Sequence, residues 1–546
     1  MEGEGRRSKP WVLGGIVAVL FAIALVVLAV SSGTGSQRLR GADVLGPQIL
    51  ARSSAAGRGA QQAPRRADDL AMLTPGELRA AVDDYWGEGP ATGEKLRIFD
   101  TFWNYADAHY AAFQNIDVDW TALRDLYRPE VEAGVSRGRF AWIMNQLSLA
   151  LRDGHSLALD QLVNIFTFPD RGVPLLGQGA WTVDISGACM TAQDDGSALV
   201  YSALPGNPLG LEPGDRVLGY DGEPWRDQYK RLIREGLPLW PLFWGSSASA
   251  FEHSFVMAAG LNWPLFDTMD VSKYRTGDVV HVPTSVMPGD VFWGFCAEEM
   301  DIPGVPKPHF FSGNFVSGGI VAGSHVGYVY SWGWEGSARE EFAALIRQLT
   351  QVDKVDGLII DLRFNPGGFE HAGFNGLAAL ASRPSATIAM DERADDQRHL
   401  KMKRVDPPAS FVLDFTYEGD HRLNRDPSAY AGPVAVLVGP GCASACDITA
   451  VVSTFLEHVR TFGETTGMSI GLPSQPALGS TLDLGPDWYA RVTETNTFKV
   501  GSPGDYLIHQ EFPVDEHVWL RPADVAAGKD TVVEAALSWL RTQGAD

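Results

Sequence analysis

Two runs, Leu358-Ile359-Ile360-Asp361-Leu362 and Val434-Ala435-Val436-Leu437-Val438, limit the fold more than any other feature of the chain. Both are almost wholly apolar, are too short for helices, and lack the alternation of a strand with one wet face. Such runs predict strands covered on both sides, as in a parallel sheet held between helices. Val326-Gly327-Tyr328-Val329-Tyr330 reads as a further strand, residues 338–350 as an amphipathic helix, and residues 530–542 as a closing helix. Strands alternating with helices from about 316 to 540 predict an α/β core.

Two other textures precede it. Between 76 and 165, large apolar residues recur at three- and four-residue spacings (Phe99, Phe102, Trp103, Tyr110, Phe113, then Phe140, Ile143, Leu147, Leu151), which predicts packed helices. From about 173 to 300, short β-like runs are broken by Gly, Pro and Asp. There Leu211-Glu212-Pro213-Gly214-Asp215 leads into a strand and a tight Asp221-Gly222 turn. The piece resembles the middle of a PDZ domain. That implies a peptide end added as a strand at a sheet edge, with Gly214 and Leu218 as substrate-binding residues. An ordinary hairpin with acidic turns is the other reading.

Charge divides the 546-residue chain unevenly. The total is -23, yet residues 1–70 hold nine basic and five acidic side chains, so everything after them carries -27. This balance argues against nucleic acid as a partner, because phosphate neutralisation needs clustered Lys and Arg. Arg6, Arg7 and Lys9 stand before an uncharged run from Trp11 to Val30. Its roughly 20 residues match a hydrocarbon core of ~30 Å. The expectation is a cytoplasmic tail over 1–10, a single transmembrane helix over 11–30 and a flexible linker over 31–75. The remainder lies outside the cytoplasm, anchored at the cell membrane. Secretion after signal cleavage is the rival reading, given the small residues Ala29, Ser31, Ser32 and Gly33. Behind the linker come a helical domain over 76–170, the PDZ-like domain and connecting segment over 171–315, and the core over 316–546.

Two loops at strand ends carry the candidate chemistry. In Asp361-Leu362-Arg363-Phe364-Asn365-Pro366-Gly367-Gly368, paired glycines let backbone N–H groups approach a ligand closely. In Gly439-Pro440-Gly441-Cys442-Ala443-Ser444-Ala445-Cys446-Asp447, a serine sits where a strand hands over to an apolar helix. Free N–H groups and the helix dipole favour developing negative charge there. Taken alone, Ser444 is equally a helix cap.

Together, in this order, the loops resemble the tail-specific (C-terminal processing) proteases and their tricorn and retinoid-binding-protein relatives. In those proteins a strand ending in Asp-Leu-Arg-x-Asn-Pro-Gly-Gly precedes a Ser-Ala-Ser-Glu nucleophile loop. The resemblance implies a ClpP/crotonase-like core and a serine-type peptidase acting on peptides or unfolded protein tails, without cofactor or metal. It makes Ser444 the nucleophile and the amides of Gly367, Gly368 and Ala445 the oxyanion hole. The lysine of the Ser–Lys branch has no counterpart, since Ser469 holds its position and no lysine lies between Asp447 and Phe498. The tricorn-like branch takes a histidine from the helical part, which maps to His155 in Arg152-Asp153-Gly154-His155-Ser156, with His371 in reserve. Its orienting carboxylate falls on Gln510 or the adjacent Glu511, and Gly154 stands where its second hydroxyl would be. The retinoid-binding relatives leave a carrier protein on the same scaffold as the alternative. Four cysteines admit pairs Cys442–Cys446 and Cys189–Cys296, or buried free thiols.

Overall fold

The computed structural model describes residues 75–164, 182–184, 186–238, 245–263, 266–286, 294–296, 300–308, 313–334, 337–393, 402–405, 421–423, 426–472 and 482–545. The expected membrane span over 11–30 and the linker over 31–75, save Pro75, lie outside them. Among the described residues, no helix is long and apolar enough to cross a membrane.

The core is a six-stranded sheet. Its strands, in spatial order, are β8 (Val316–Ile320), β9 (Val326–Ser331), β10 (Gly357–Asp361), β12 (Val434–Val438), β13 (Val459–Gly463) and β16 (Glu516–His517). Only the β8–β9 pairing is antiparallel. The two apolar runs are its central strands, and alternate residues face opposite layers, as the period of a strand requires. Leu358, Ile360, Val434, Val436 and Val438 join one cluster, which the helices α7 (Ala338–Arg347), α8 (Glu370–Ala378) and α9 (Ala445–Ser453) cover. Ile359, Ala435 and Leu437 join the other, with Val532, Val533, Ala536 and Leu540 of the closing helix α11 (Thr531–Thr542). Beside this sheet, β11 (Ser385–Arg393) pairs antiparallel with β15 (Thr495–Lys499).

The helical region consists of α1 (Pro75–Trp86), α2 (Thr92–His109), α3 (Trp120–Ala133) and α4 (Arg137–Leu151). Phe99, Phe102, Trp103, Phe140, Ile143 and Leu147 sit in the same cluster as Leu358 and Val434. Three of the four helices therefore share the core of the sheet, while α1 packs Leu78 and Val82 into the β region instead. After α4, β1 (Leu157–Asp160) pairs antiparallel with β14 (Trp488–Arg491).

The β region is an antiparallel sheet of β2 (Ala188–Ala192), β3 (Ala198–Ala203), β4 (Arg216–Tyr220), β6 (Thr268–Ser272) and β7 (Val279–Pro283). The short β5 (Glu223–Pro224) folds back on β4 through the expected turn, Asp221 and Gly222 both having positive φ (54° and 83°). Helices α5 (Trp225–Glu235) and α6 (Ala248–Met257) follow β5. Gly214 does not open onto a groove. A Cβ there would lie 2.9 Å from Ala526 Cβ and 3.1 Å from the Pro522 carbonyl, so α10 (Pro522–Ala526) covers it. Leu218, the other expected substrate contact, is a half-buried residue of β4.

Where β10 ends, Arg363 is wholly buried between two carboxylates. Its Nη2 lies 2.6 Å from Asp361 Oδ2 and 2.8 Å from Asp530 Oδ2. Tyr328 donates its hydroxyl to Asp361 at 2.5 Å. Asp530 also caps α11, accepting the N–H groups of Val532 and Val533. Arg363→Leu leaves both carboxylates buried without their cation, and is expected to cost about 3–5 kcal/mol of unfolding free energy. Urea denaturation measures it, and an unchanged midpoint would remove the network from the account of stability.

Candidate active site

The β12–α9 turn holds Ser444 at φ 59° and ψ -120°, a conformation that L residues adopt only when the surroundings enforce it. Three restraints do so here. A disulfide joins Cys442 to Cys446 across the turn, with Cα atoms 5.2 Å apart. Asp447 Oδ2 accepts the Ser444 N–H at 2.7 Å. Ala443 donates its N–H to the carbonyl of Asn365 at 3.1 Å, tying the serine loop to the glycine loop. Cys189 is disulfide-bonded as well, and the side chain of Cys296, its expected partner, lies outside the described residues.

The glycine loop is fixed by Asn365, which donates to Ser331 Oγ (3.0 Å) and accepts the Gly367 N–H (2.9 Å). The Gly367 amide is thus engaged by Asn365. Its contribution is its missing side chain. A Cβ at Gly367 would lie 2.8 Å from both Ser444 Cβ and Ala445 N, and 2.7 Å from the Ala443 carbonyl. Trp334 takes the Gly367 carbonyl and accepts the Phe369 N–H. This leaves the amides of Gly368 and Ala445 without an acceptor among the described residues, one from each loop. Unspent amide donors in the loops that meet at a serine are what a developing oxyanion needs.

His155 follows α4 and is 9% exposed. Its Nδ1 lies 2.7 Å from the Gly471 carbonyl, which fixes the tautomer with the proton on Nδ1 and leaves Nε2 as a base. Burial, then the nearby Arg491 guanidinium, pushes its pKa down to about 4. No hydrogen bond joins the imidazole to Ser444 Oγ. Both instead hang on one segment: Gly467 N–H donates to the Cys442 carbonyl (2.7 Å), Met468 N–H to Asp447 Oδ1 (2.7 Å), and Gly471 holds the imidazole. Two residues of chain separate the last two anchors, at most ~11 Å between Cα atoms.

The expected orienting residues are elsewhere. Glu511 accepts the N–H (3.0 Å) and hydroxyl (3.1 Å) of Ser249 at the start of α6, and Gln510 donates to the Tyr506 carbonyl. A main-chain carbonyl, Gly471, does what a carboxylate was expected to do. Ser469, at the lysine position, bonds Ser246 Oγ at 2.9 Å. His371 sits in the first turn of α8 with its ring against Phe369. Two buried groups went unrecognised in the sequence. His509 bridges Ser246 O and Tyr110 Oη, and Asp153 accepts from His155 N and Ser156 Oγ. Among the described residues, no cluster of ligating side chains could hold a metal ion.

A serine on a strained strand-to-helix turn, faced by unspent amides, defines a serine-type peptidase acting on protein substrates. Residues 325–499 match the model of peptidase family S41. Mature CPAF bound to lactacystin is similar in fold at 14% identity, covering 83% of this chain and 98% of its own, with a TM-score of 0.55. A photosystem II D1 C-terminal processing protease matches at 17% identity over 80% of this chain and 95% of its own (TM-score 0.40). A peptidase structure from Parabacteroides merdae matches at 15% identity over 83% and 97% (TM-score 0.45). Comparison with curated proteins gives no match.

Gly367→Ala displaces the serine loop, and is expected to lower kcat/KM by about 10²-fold while the circular dichroism spectrum stays unchanged. The histidine makes a second prediction. A pKa near 4 keeps Nε2 unprotonated above that value, so kcat/KM should fall only as the pH drops through about 4. An acid limb near the ordinary histidine value of ~6.5 would mean that His155 is not the titrating base.

Proposed function

We propose that the chain is an exported, membrane-anchored endopeptidase that cleaves peptides or unfolded protein tails, with Ser444 as nucleophile and His155 as its base. In this reading Ser444 Oγ attacks the scissile carbonyl and passes its proton to His155 Nε2. The Gly368 and Ala445 amides receive the oxyanion, and the imidazolium then protonates the leaving amine. The β region captures the substrate as a PDZ-like module, residues 11–30 anchor the chain, and the catalytic part lies outside the cytoplasm. The observation that carries the reading is Ser444 on its strained turn, packed against the glycine loop at Gly367, with the amides of Gly368 and Ala445 unspent. The Cys442–Cys446 disulfide supports an oxidising location.

One observation favours the second reading, a carrier on the same scaffold: Ser444 and His155 are not hydrogen-bonded. Unliganded sites are often loose in this way and tighten with substrate. A fluorophosphonate probe separates the two. Labelling at Ser444 in the wild-type protein, lost in Ser444→Ala and reduced by about 10²-fold or more in His155→Ala, is the expected result. A folded protein that neither labels nor cleaves unfolded casein would establish the carrier.

A further inference from the structure

Arg491 ends β14 opposite Leu157, two residues beyond His155. It is 6% exposed. Its Nη2 reaches the carbonyl of Gly154, the residue before His155, at 3.3 Å, and its Nε is buried without an acceptor. No carboxylate among the described residues lies within ion-pair distance of it. Three other sequestered arginines are treated differently. Arg363 has Asp361 and Asp530, Arg139 has Glu130, and Arg137 has Asp160 and Asp487. A guanidinium taken out of water without an anion is unfavourable, so an unmatched one calls for an explanation.

The surroundings repeat the pattern. Asp153, the carboxylate of the same loop, is already occupied by His155 N–H (3.1 Å), Ser156 Oγ (2.6 Å) and Ser246 Oγ (3.4 Å). Thr493, two residues after Arg491, donates its N–H to Ser156 Oγ, and its own hydroxyl is buried without a partner. Arg152 Nε is likewise buried and unmatched. Around His155 stand the Arg491 guanidinium and the Thr493 hydroxyl with donors to spare, and one carboxylate with little left to accept. What completes such a set is a planar anion with two acceptor oxygens.

We infer that Arg491, with Thr493 beside it, receives a carboxylate of the peptide substrate, so that cleavage is directed to bonds near an anionic group. This deepens the peptidase reading above and rests on it. The carboxylate has two sources, an acidic side chain or the free C-terminus of the substrate.

The full-length protein is given a degenerate synthetic peptide library, and the cleavage sites are mapped by mass spectrometry. The fastest-cleaved sequence is then remade with its nearest acidic side chain as the amide, with its C-terminus amidated, and with both changes. Neutralising the carboxylate that Arg491 holds is expected to raise KM about tenfold or more, with a smaller effect on kcat. The difference should disappear in Arg491→Gln and persist in part in Arg491→Lys. An effect of the side-chain amide identifies an acidic residue, and an effect of the terminal amide identifies the chain end. Hydrolysis indifferent to both changes overturns the inference and leaves the peptidase reading standing. No hydrolysis of any member by the wild-type protein removes both. If Arg491→Gln does not fold, the wild-type comparison alone still decides.

Discussion

The charge triad of Asp361, Arg363 and Asp530 is the interaction on which the rest of the molecule leans. It sits where β10 stops and the glycine loop starts, and its second carboxylate begins α11, 167 residues later. One guanidinium thus fixes the end of a central strand, the start of the loop that carries Gly367, and the helix that closes the opposite face of the sheet. Buried ion pairs contribute little net stability against apolar substitutes, and what they enforce is geometry. Here the geometry enforced is the level at which Asn365 meets the serine loop.

A second constraint is laid on top of the first. Burial pushes the Asp447 carboxyl up to about 7, against the N–H groups of Met468, Ser444 and Ser469 that pull it down. Those same N–H groups splice the nucleophile turn to residues 467–471, and His155 hangs from the far end of that splice. The β region reaches the same place, because Ser246 and Ser247 both donate their N–H groups to the Gly467 carbonyl. Gly467 therefore touches the serine loop with its amide and the β region with its carbonyl. The start of α6 and Cys442 are thus joined through the main chain of one residue.

Much of this was legible in the residues. The two apolar runs became the central strands because neither face of either strand meets water, and the Asp221-Gly222 turn formed as its φ preferences demand. The serine turn and the glycine loop were readable because their chemistry needs particular residue types. What escaped were interactions without a residue signature. A carbonyl orients His155, and every residue has one, so nothing at Gly471 distinguished it from its neighbours. The packing of α10 on Gly214 was likewise illegible, because α10 comes some three hundred residues later in the chain. The amphipathic helix expected over 338–350 is α-helical to Arg347 and continues as a π-type turn over Gln348–Val352.

The disulfide across the nucleophile turn closes a ring with a sequence separation of only four. By chain-entropy reasoning, so small a ring restricts an unfolded chain by about 2 kcal/mol, far less than a long-range cross-link would. Its influence is local and outlasts the fold. When α9 melts and β12 leaves the sheet, Ala443, Ser444 and Ala445 remain tethered in a bend, so the denatured chain keeps a covalent imprint of its most strained turn.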